Sequence, residues 1–76
     1  MTMFPQTMID TARAGGGLDI DLSKQVMFPQ TMIDVAAAAA ASGKKPTITF
    51  RNCKSVFPQT RIDVARAGQG CVVFVD

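Results

Sequence analysis

The sequence contains no histidine, and its only cysteines are Cys53 and Cys71. Without histidine no Ser-His or Cys-His nucleophile and base pair can be assembled, so the sequence predicts no enzymatic activity and no catalytic residue. Two thiolates are also two ligands short of a structural zinc site, and no cofactor motif is present. We therefore expect no metal and no cofactor. The cysteines are interpreted as small buried strand residues, with a disulfide between them as the alternative.

Other signals of common binding functions are also missing. The only aromatic residues are five phenylalanines, and the eight lysines and arginines are scattered over the 76 residues. A nucleic-acid surface needs clustered basic residues and aromatics that stack on bases. No apolar run reaches the roughly 18 residues of a membrane span, and the start of the chain has no signal-peptide pattern. The sequence thus predicts one small domain, 1–76, without nucleic-acid or membrane partners and with a cytoplasmic location.

The dominant positive feature is an internal repeat. The octapeptide Met-Phe-Pro-Gln-Thr-Met-Ile-Asp occurs unchanged at 3–10 and 27–34, and a close copy occupies 56–63. Such self-similarity predicts stacked supersecondary units, here repeats 3–24, 27–53 and 56–76. The octapeptide starts are 24 and 29 residues apart, and a similar interval would continue into a second copy of the chain. Neither terminal repeat resembles a polar cap.

Each repeat is predicted to begin with a helix whose first residue is a proline, at Pro5, Pro29 and Pro58. The phenylalanine before each proline is held extended, and we expect all three to be buried at the strand-to-helix corners. Gln and Thr side chains in the first turns are expected to cap backbone groups, with a phosphate-binding row as the alternative. The phenylalanines in question are Phe4, Phe28 and Phe57.

Within each helix, isoleucine and alanine recur three residues apart and predict a narrow stripe that faces a sheet. The pairs are Ile9 and Ala12, Ile33 and Ala36, and Ile62 and Ala65. Asp10 with Arg13, and Asp63 with Arg66, are predicted to form exposed pairs.

Glycines are predicted to end the helices, at Gly15, Gly43 and Gly68. Gly43 follows its octapeptide by nine residues instead of five, and alanines fill the difference, so we expect one extra helical turn there.

Alignment on these glycines predicts three strands in register. Ile20, Ile48 and Val73 fall in one row, and Leu22, Phe50 and Val75 in the next. The fold class is therefore predicted to be α/β, a short βα-repeat solenoid of three helix-strand units with a parallel sheet.

The second strand supports a family resemblance. Its sequence Ile48-Thr-Phe50-Arg-Asn-Cys53 resembles the L-x-L-x-x-C core of a leucine-rich repeat, and the 24-residue interval is within that family's range. The resemblance implies a leucine-rich-repeat-like βα solenoid and implies no ligand-binding residue.

The final strand departs from the pattern because it is apolar on both predicted faces. The same alignment places Val72 and Phe74 on the sheet face away from the helices, where the first strand has Asp19 and Asp21. An apolar parallel strand is normally covered on both sides. Either the strand lies centrally under the amino-terminal segment, or it is covered by another molecule.

The leading hypothesis is a self-associating structural protein, a homo-oligomer or filament in which one molecule continues the solenoid of the next. The alternative is an interaction module that binds a different protein through its sheet face, with Val72 and Phe74 as anchors. The residues predicted to mediate self-association are Cys71, Val72, Val73, Phe74 and Val75, together with Met1, Met3 and Phe4.

Overall fold

The computed structural model describes residues 4–76, and these form three helices and three strands in strict alternation. The elements are α1 (Pro5–Arg13), β1 (Leu18–Asp21), α2 (Pro29–Ala41), β2 (Ile48–Arg51), a 3-10 turn (Cys53–Ser55), α3 (Pro58–Gly68) and β3 (Val72–Val75). The strands form one parallel sheet in the order β1-β2-β3. The predicted α/β class, element order and parallel sheet are confirmed.

The helix starts follow directly from the Phe-Pro dipeptides. Proline is the first residue of every helix, and the phenylalanine before it is extended, with φ between −74° and −63° and ψ between 144° and 150°. Proline excludes the preceding residue from helical φ and ψ, and its own fixed φ suits the first helical position. All three predicted start residues are confirmed.

The helix ends agree with the glycine pattern in two repeats of three. Gly15 and Gly43 have positive φ after α1 and α2, and α2 is 13 residues long against 9 for α1, so the alanine run is helical as predicted. In α3 the left-handed residue is Gln69, and Gly68 is still helical. A Cβ on Gly68 would overlap the side chain of Val72. Glycine is required there because β3 packs against bare helix backbone.

The strand register differs from the predicted one. Leu18 pairs with Ile48 and Ile48 with Val72, so the true rows are Leu18, Ile48, Val72 and then Ile20, Phe50, Phe74. The alignment on the glycines gives the wrong register because the connections differ in length. The strands begin three, five and four positions after Gly15, Gly43 and Gly68. The predicted register is wrong by two residues at β1 and by one at β3.

The one-residue error at β3 exchanges its two faces. Val72 and Phe74 are directed toward the helices and pack against the core, where the Phe74 ring stacks on Phe50 with centroids 5.8 Å apart. The placement of Val72 and Phe74 on the outer sheet face is therefore wrong. Val73 and Val75 occupy that face instead, in the rows of Asp19 and Asp21.

The core lies between the sheet and a single layer of helices, in which α2 contacts both α1 and α3. Its buried side chains come from all three repeats. They are Met8, Ala12, Ile20, Met32, Val35, Ala36, Ala38, Ala39, Ile48, Phe50, Cys53, Val64 and Cys71. Burial of the predicted helix stripe is confirmed at Ala12 and Ala36, whereas Ile62 and Ala65 of α3 are exposed.

The prediction that the repeated phenylalanines are buried is wrong. Phe4, Phe28 and Phe57 have exposed fractions of 80%, 74% and 75%. In the second repeat the corner is filled instead by Met27, the residue before the phenylalanine, and by Met32, four residues after it. These are the positions that pair in a hydrophobic staple, and the phenylalanine lies between them at the N-cap, where it points away from the core.

Candidate interaction surfaces

The outer side of α3 is exposed at positions that are covered in the other two helices. Ala12 and Ala36 are fully buried, whereas Ala65, the same repeat position in α3, is exposed. Ile62 is 50% exposed, while Ile9 and Ile33 are partly buried against the core. The next helix in the layer covers this side of α1 and α2, and within residues 4–76 no helix follows α3. We name this side, with Ile62, Ala65 and Arg66, the α3 end face.

The opposite end of the helix layer is formed by the outer side of α1. Val35 and Val64, which lie on the corresponding sides of α2 and α3, are fully buried. The same repeat position in α1 is Thr11, whose hydroxyl donates to the Thr7 carbonyl at 2.7 Å. Threonine has the branched shape of valine, and its own helix satisfies its polar group. We name this side, with Thr7, Asp10, Thr11 and Ala14, the α1 end face.

The sheet ends where the helix layer ends. β1 and β3 are the outer strands of the three-stranded sheet, and within the described part of the chain neither pairs on its outer side. An outer strand has a row of N–H and C=O groups that can pair with a further strand. Because α1 contacts β1 and α3 contacts β3, each end face combines a helix side with a strand edge.

The sheet face away from the helices is polar near β1 and apolar at β3. Arg51 donates to Asp19 at 2.8 Å, and this carboxylate raises the pKa of the Arg51 guanidinium. On β3 the exposed Val73 and the partly buried Val75 lie in the same rows. This face therefore has two valines that no helix covers.

Asp21, on the same face, is held by a small hydrogen-bond network. Hydrogen bonds from the Ser23 hydroxyl at 2.6 Å and the Asn52 amide at 2.6 Å, and from the Ser23 backbone, lower the pKa of Asp21 from 3.8 to about 2. A lowered native pKa contributes stability that is present above pH 3.8 and is lost as the pH falls toward 2.

We accordingly expect Asp21 to titrate near pH 2 in a carboxyl chemical-shift titration. Asn52→Ala should move this pKa toward 3.8 because it removes one of the donors. If Asp21 of the parent titrates near pH 3.8, and Asn52→Ala leaves the pKa of Asp21 unchanged, the hydrogen-bond network does not form.

The third repeat has an arginine where the first two have a buried methionine. Arg61 donates to Asp76 at 2.8 Å and to the carbonyl oxygen of Cys53, and its guanidinium carbon lies 5.9 Å from the centre of the Phe74 ring. The corner of this repeat is thus closed by a partly exposed ion pair. Arg61 thereby links α3 to the 3-10 turn, to β3 and to Asp76.

The phenylalanine row is the surface feature that sequence reasoning missed. Phe4, Phe28 and Phe57 precede three neighbouring helices, so their exposed rings lie at the same edge of the molecule. Next to the row is a cleft of about 280 Å³, whose apolar lining includes Leu22, Val26, Met27, Met32, Val56 and Phe57. The identical Phe-Pro dipeptides are the signal for this row in the sequence, although the pattern by itself predicts that the phenylalanines are buried.

The side chains of the first helical turns do not cap the backbone. Among residues 4–76, no helix has a side-chain hydrogen bond at its N-cap. Instead Gln6, Gln30 and Gln59 each donate to the aspartate four residues later, at 2.9 to 3.0 Å. The capping prediction is wrong because these amides are satisfied along the helix.

Both cysteines are buried and free, so the disulfide alternative is not realised. Cys53 lies in the 3-10 turn and donates to the Phe50 carbonyl at 2.9 Å, and burial raises the pKa of its thiol. Cys71 lies directly before β3. Their predicted burial is confirmed, and their placement on strands is wrong.

The residues predicted to mediate self-association differ in their exposure to solvent. Cys71 is buried, Val72 and Phe74 contact the core, and Val73, Val75 and Phe4 have accessible surface. Met1 and Met3 lie outside the described residues. Residues 4–76 contain no group of three metal-ligating side chains, and no helix among them is long and apolar enough to cross a membrane.

Comparison of the chain with protein-family models, curated proteins and solved structures found no match.

Proposed function

We propose that the protein is a leucine-rich-repeat-like βα solenoid that associates with itself end to end. In this arrangement the α3 end face and β3 of one molecule pack against the α1 end face and β1 of the next. The observation that carries the proposal is the exposure of Ile62 and Ala65, whose counterparts in the first two repeats are covered by a neighbouring helix. The partner is a second copy of the chain, and the cytoplasmic location stays a prediction.

The arrangement of the repeats supports the solenoid. All helices lie on one face of a parallel sheet, and successive repeats are neighbours in both layers. Ile48, Phe50 and Cys53, which carry the resemblance to a leucine-rich repeat, are all fully buried. In such an array each repeat buries the apolar side of its neighbour, so an uncovered side favours the addition of another repeat.

The two end faces have compatible shapes and compatible strand edges. β3 next to β1 of another molecule would extend the parallel sheet by three strands and pair both outer edges. At the helix layer, Ile62 and Ala65 would meet Thr11 and Ala14, as their counterparts in α1 and α2 meet the next helix. A contact between two different faces gives a closed ring or an open filament, depending on the rotation between molecules.

A second candidate function is binding of a different protein through the sheet face away from the helices. The observation that favours it is the exposure of Val73, 44%, beside the partly buried Val75. These valines replace Val72 and Phe74 as the anchors, since the latter pair faces the core.

The test is to place a charge in the α3 end face. We expect Ile62→Glu to fold normally, because half of the side chain is exposed, but to weaken self-association at least about 100-fold, since it brings a carboxylate against the α1 end face, which contains Asp10, and burial of a charge costs several kcal/mol. Sedimentation velocity over a range of protein concentrations measures the effect.

Val26→Glu is the matched control, because it replaces an 88% exposed apolar residue away from both end faces. It should assemble like the parent. If Ile62→Glu assembles as well as Val26→Glu, the α3 end face is not the contact. If the parent instead stays monomeric and binds an added protein, and Val73→Lys weakens that binding, the second candidate function is favoured.

A further inference from the structure

The two end faces contain opposite charges. Arg66 lies on the α3 end face, and within residues 4–76 it forms no ion pair. The intrahelical partner predicted for it, Asp63, instead accepts a hydrogen bond from Gln59 at 3.0 Å. On the α1 end face Asp10 likewise accepts a hydrogen bond, from Gln6 at 2.9 Å, and Arg13 lies 3.8 Å away, but its side chain is 60% exposed.

The contact between α1 and α2 shows which groove these charges would share. The corresponding residues there are not an ion pair, because Arg13 pairs with Asp10 of its own helix and Asp34 accepts a hydrogen bond from Gln30, whereas Arg66 has no ion pair within its helix. Arg13 occupies the same repeat position as Arg66, and Asp34 the same position as Asp10. Arg13 and Asp34 line one groove between α1 and α2, with Ile9 and Ala38 beside them. If a second molecule continues the helix layer, Arg66 takes the place of Arg13 and Asp10 of the second molecule takes the place of Asp34.

We propose that Arg66 of one molecule pairs with Asp10 of the next and thereby sets the direction and register of the end-to-end contact. This inference rests on the self-association proposed above. Opposite charges favour the α3 end face against the α1 end face. A contact between two α3 end faces, or between two α1 end faces, gains no such opposite-charge pair and has an excess of one sign of charge. The pair therefore selects one partner face from three possible combinations.

The test uses two charge-reversal variants, Asp10→Arg and Arg66→Asp, separately and mixed in equal amounts. Each variant alone has like charges at every end-to-end contact, so we expect association roughly 3- to 10-fold weaker than that of the parent. In the mixture every Asp10→Arg molecule can alternate with an Arg66→Asp molecule, and each contact again has opposite charges. Association in the mixture should return to about the parent level, and the difference should shrink at high salt.

The control replaces Arg66→Asp by Lys54→Asp, which changes the net charge equally at an exposed residue outside both end faces. Measured alone, it should associate like the parent, because both charges of the proposed contact are kept. A parent that stays monomeric would overturn the proposed self-association. A parent that assembles, with single variants equal to it or with a mixture no stronger than its components, would overturn the charge pairing while leaving self-association intact.

Discussion

Phe50→Ala is expected to unfold the domain or bring it close to unfolding. Phe50 is fully buried in the central strand, and its ring stacks on Phe74. Its backbone carbonyl accepts a hydrogen bond from the Cys53 thiol. Truncation of a buried phenylalanine costs about 3 to 5 kcal/mol. A chain of 76 residues has a total stability of roughly 4 to 11 kcal/mol, so a single truncation removes a large part of it.

Urea denaturation followed by circular dichroism measures this loss. It should be done at one low protein concentration, because self-association would add concentration-dependent stability. Phe57→Ala is the matched control, since the same side chain is removed from a position that is 75% exposed. We expect it to change the free energy of unfolding by no more than about 0.5 kcal/mol. Equal losses in the two variants would contradict the assignment of core and surface.

Met32→Ala should also lower the free energy of unfolding severely, by about 2 to 5 kcal/mol, because Met32 is fully buried on the inner side of α2. Phe28 is four residues earlier in the same octapeptide, and Phe28→Ala should have little effect because its ring is 74% exposed. Denaturation midpoints of the two variants give the comparison. The opposite order, with Phe28→Ala the more damaging, would restore the expectation drawn from sequence alone and would mean that the helix entry is described incorrectly.

The features that could be predicted from sequence are those that local chemistry determines. Proline at Pro5, Pro29 and Pro58 sets each helix start through its fixed φ. The alanine run extends α2 because alanine is the strongest helix former and Gly43 follows it. Alternation of helices and short strands determines a parallel sheet, since each crossover returns the chain in the same direction.

The features that sequence reasoning missed depend on single positions or on connection lengths. A residue at the N-cap and a residue just before it point in different directions, so Phe28 is exposed while Met27 packs inward. The register of β3 depends on whether Gly68 ends the helix or belongs to it. No local pattern distinguishes these cases, because the close contact of Gly68 with Val72 is tertiary.

The α3 end face shows the same division between local pattern and tertiary structure. The Ile-x-x-Ala spacing, as in Ile62 and Ala65, predicts a helix stripe that faces the sheet in all three repeats. The sequence does not show that burial of this stripe depends on a neighbouring helix, which α1 and α2 have and α3 lacks among the described residues. An apolar stripe in the last repeat of an array is therefore better interpreted as a potential contact surface.

The molar mass of the unmodified protein as a function of concentration, measured by sedimentation equilibrium, tests end-to-end association most directly. If the α3 end face binds the α1 end face of another molecule, the weight-average mass should rise steadily with concentration above the 8.1 kDa of one chain. The rise should not stop at a dimer unless a ring closes. A mass that stays at 8.1 kDa up to about 1 mM, where even a contact of about 4 kcal/mol would be half formed, would contradict the proposal.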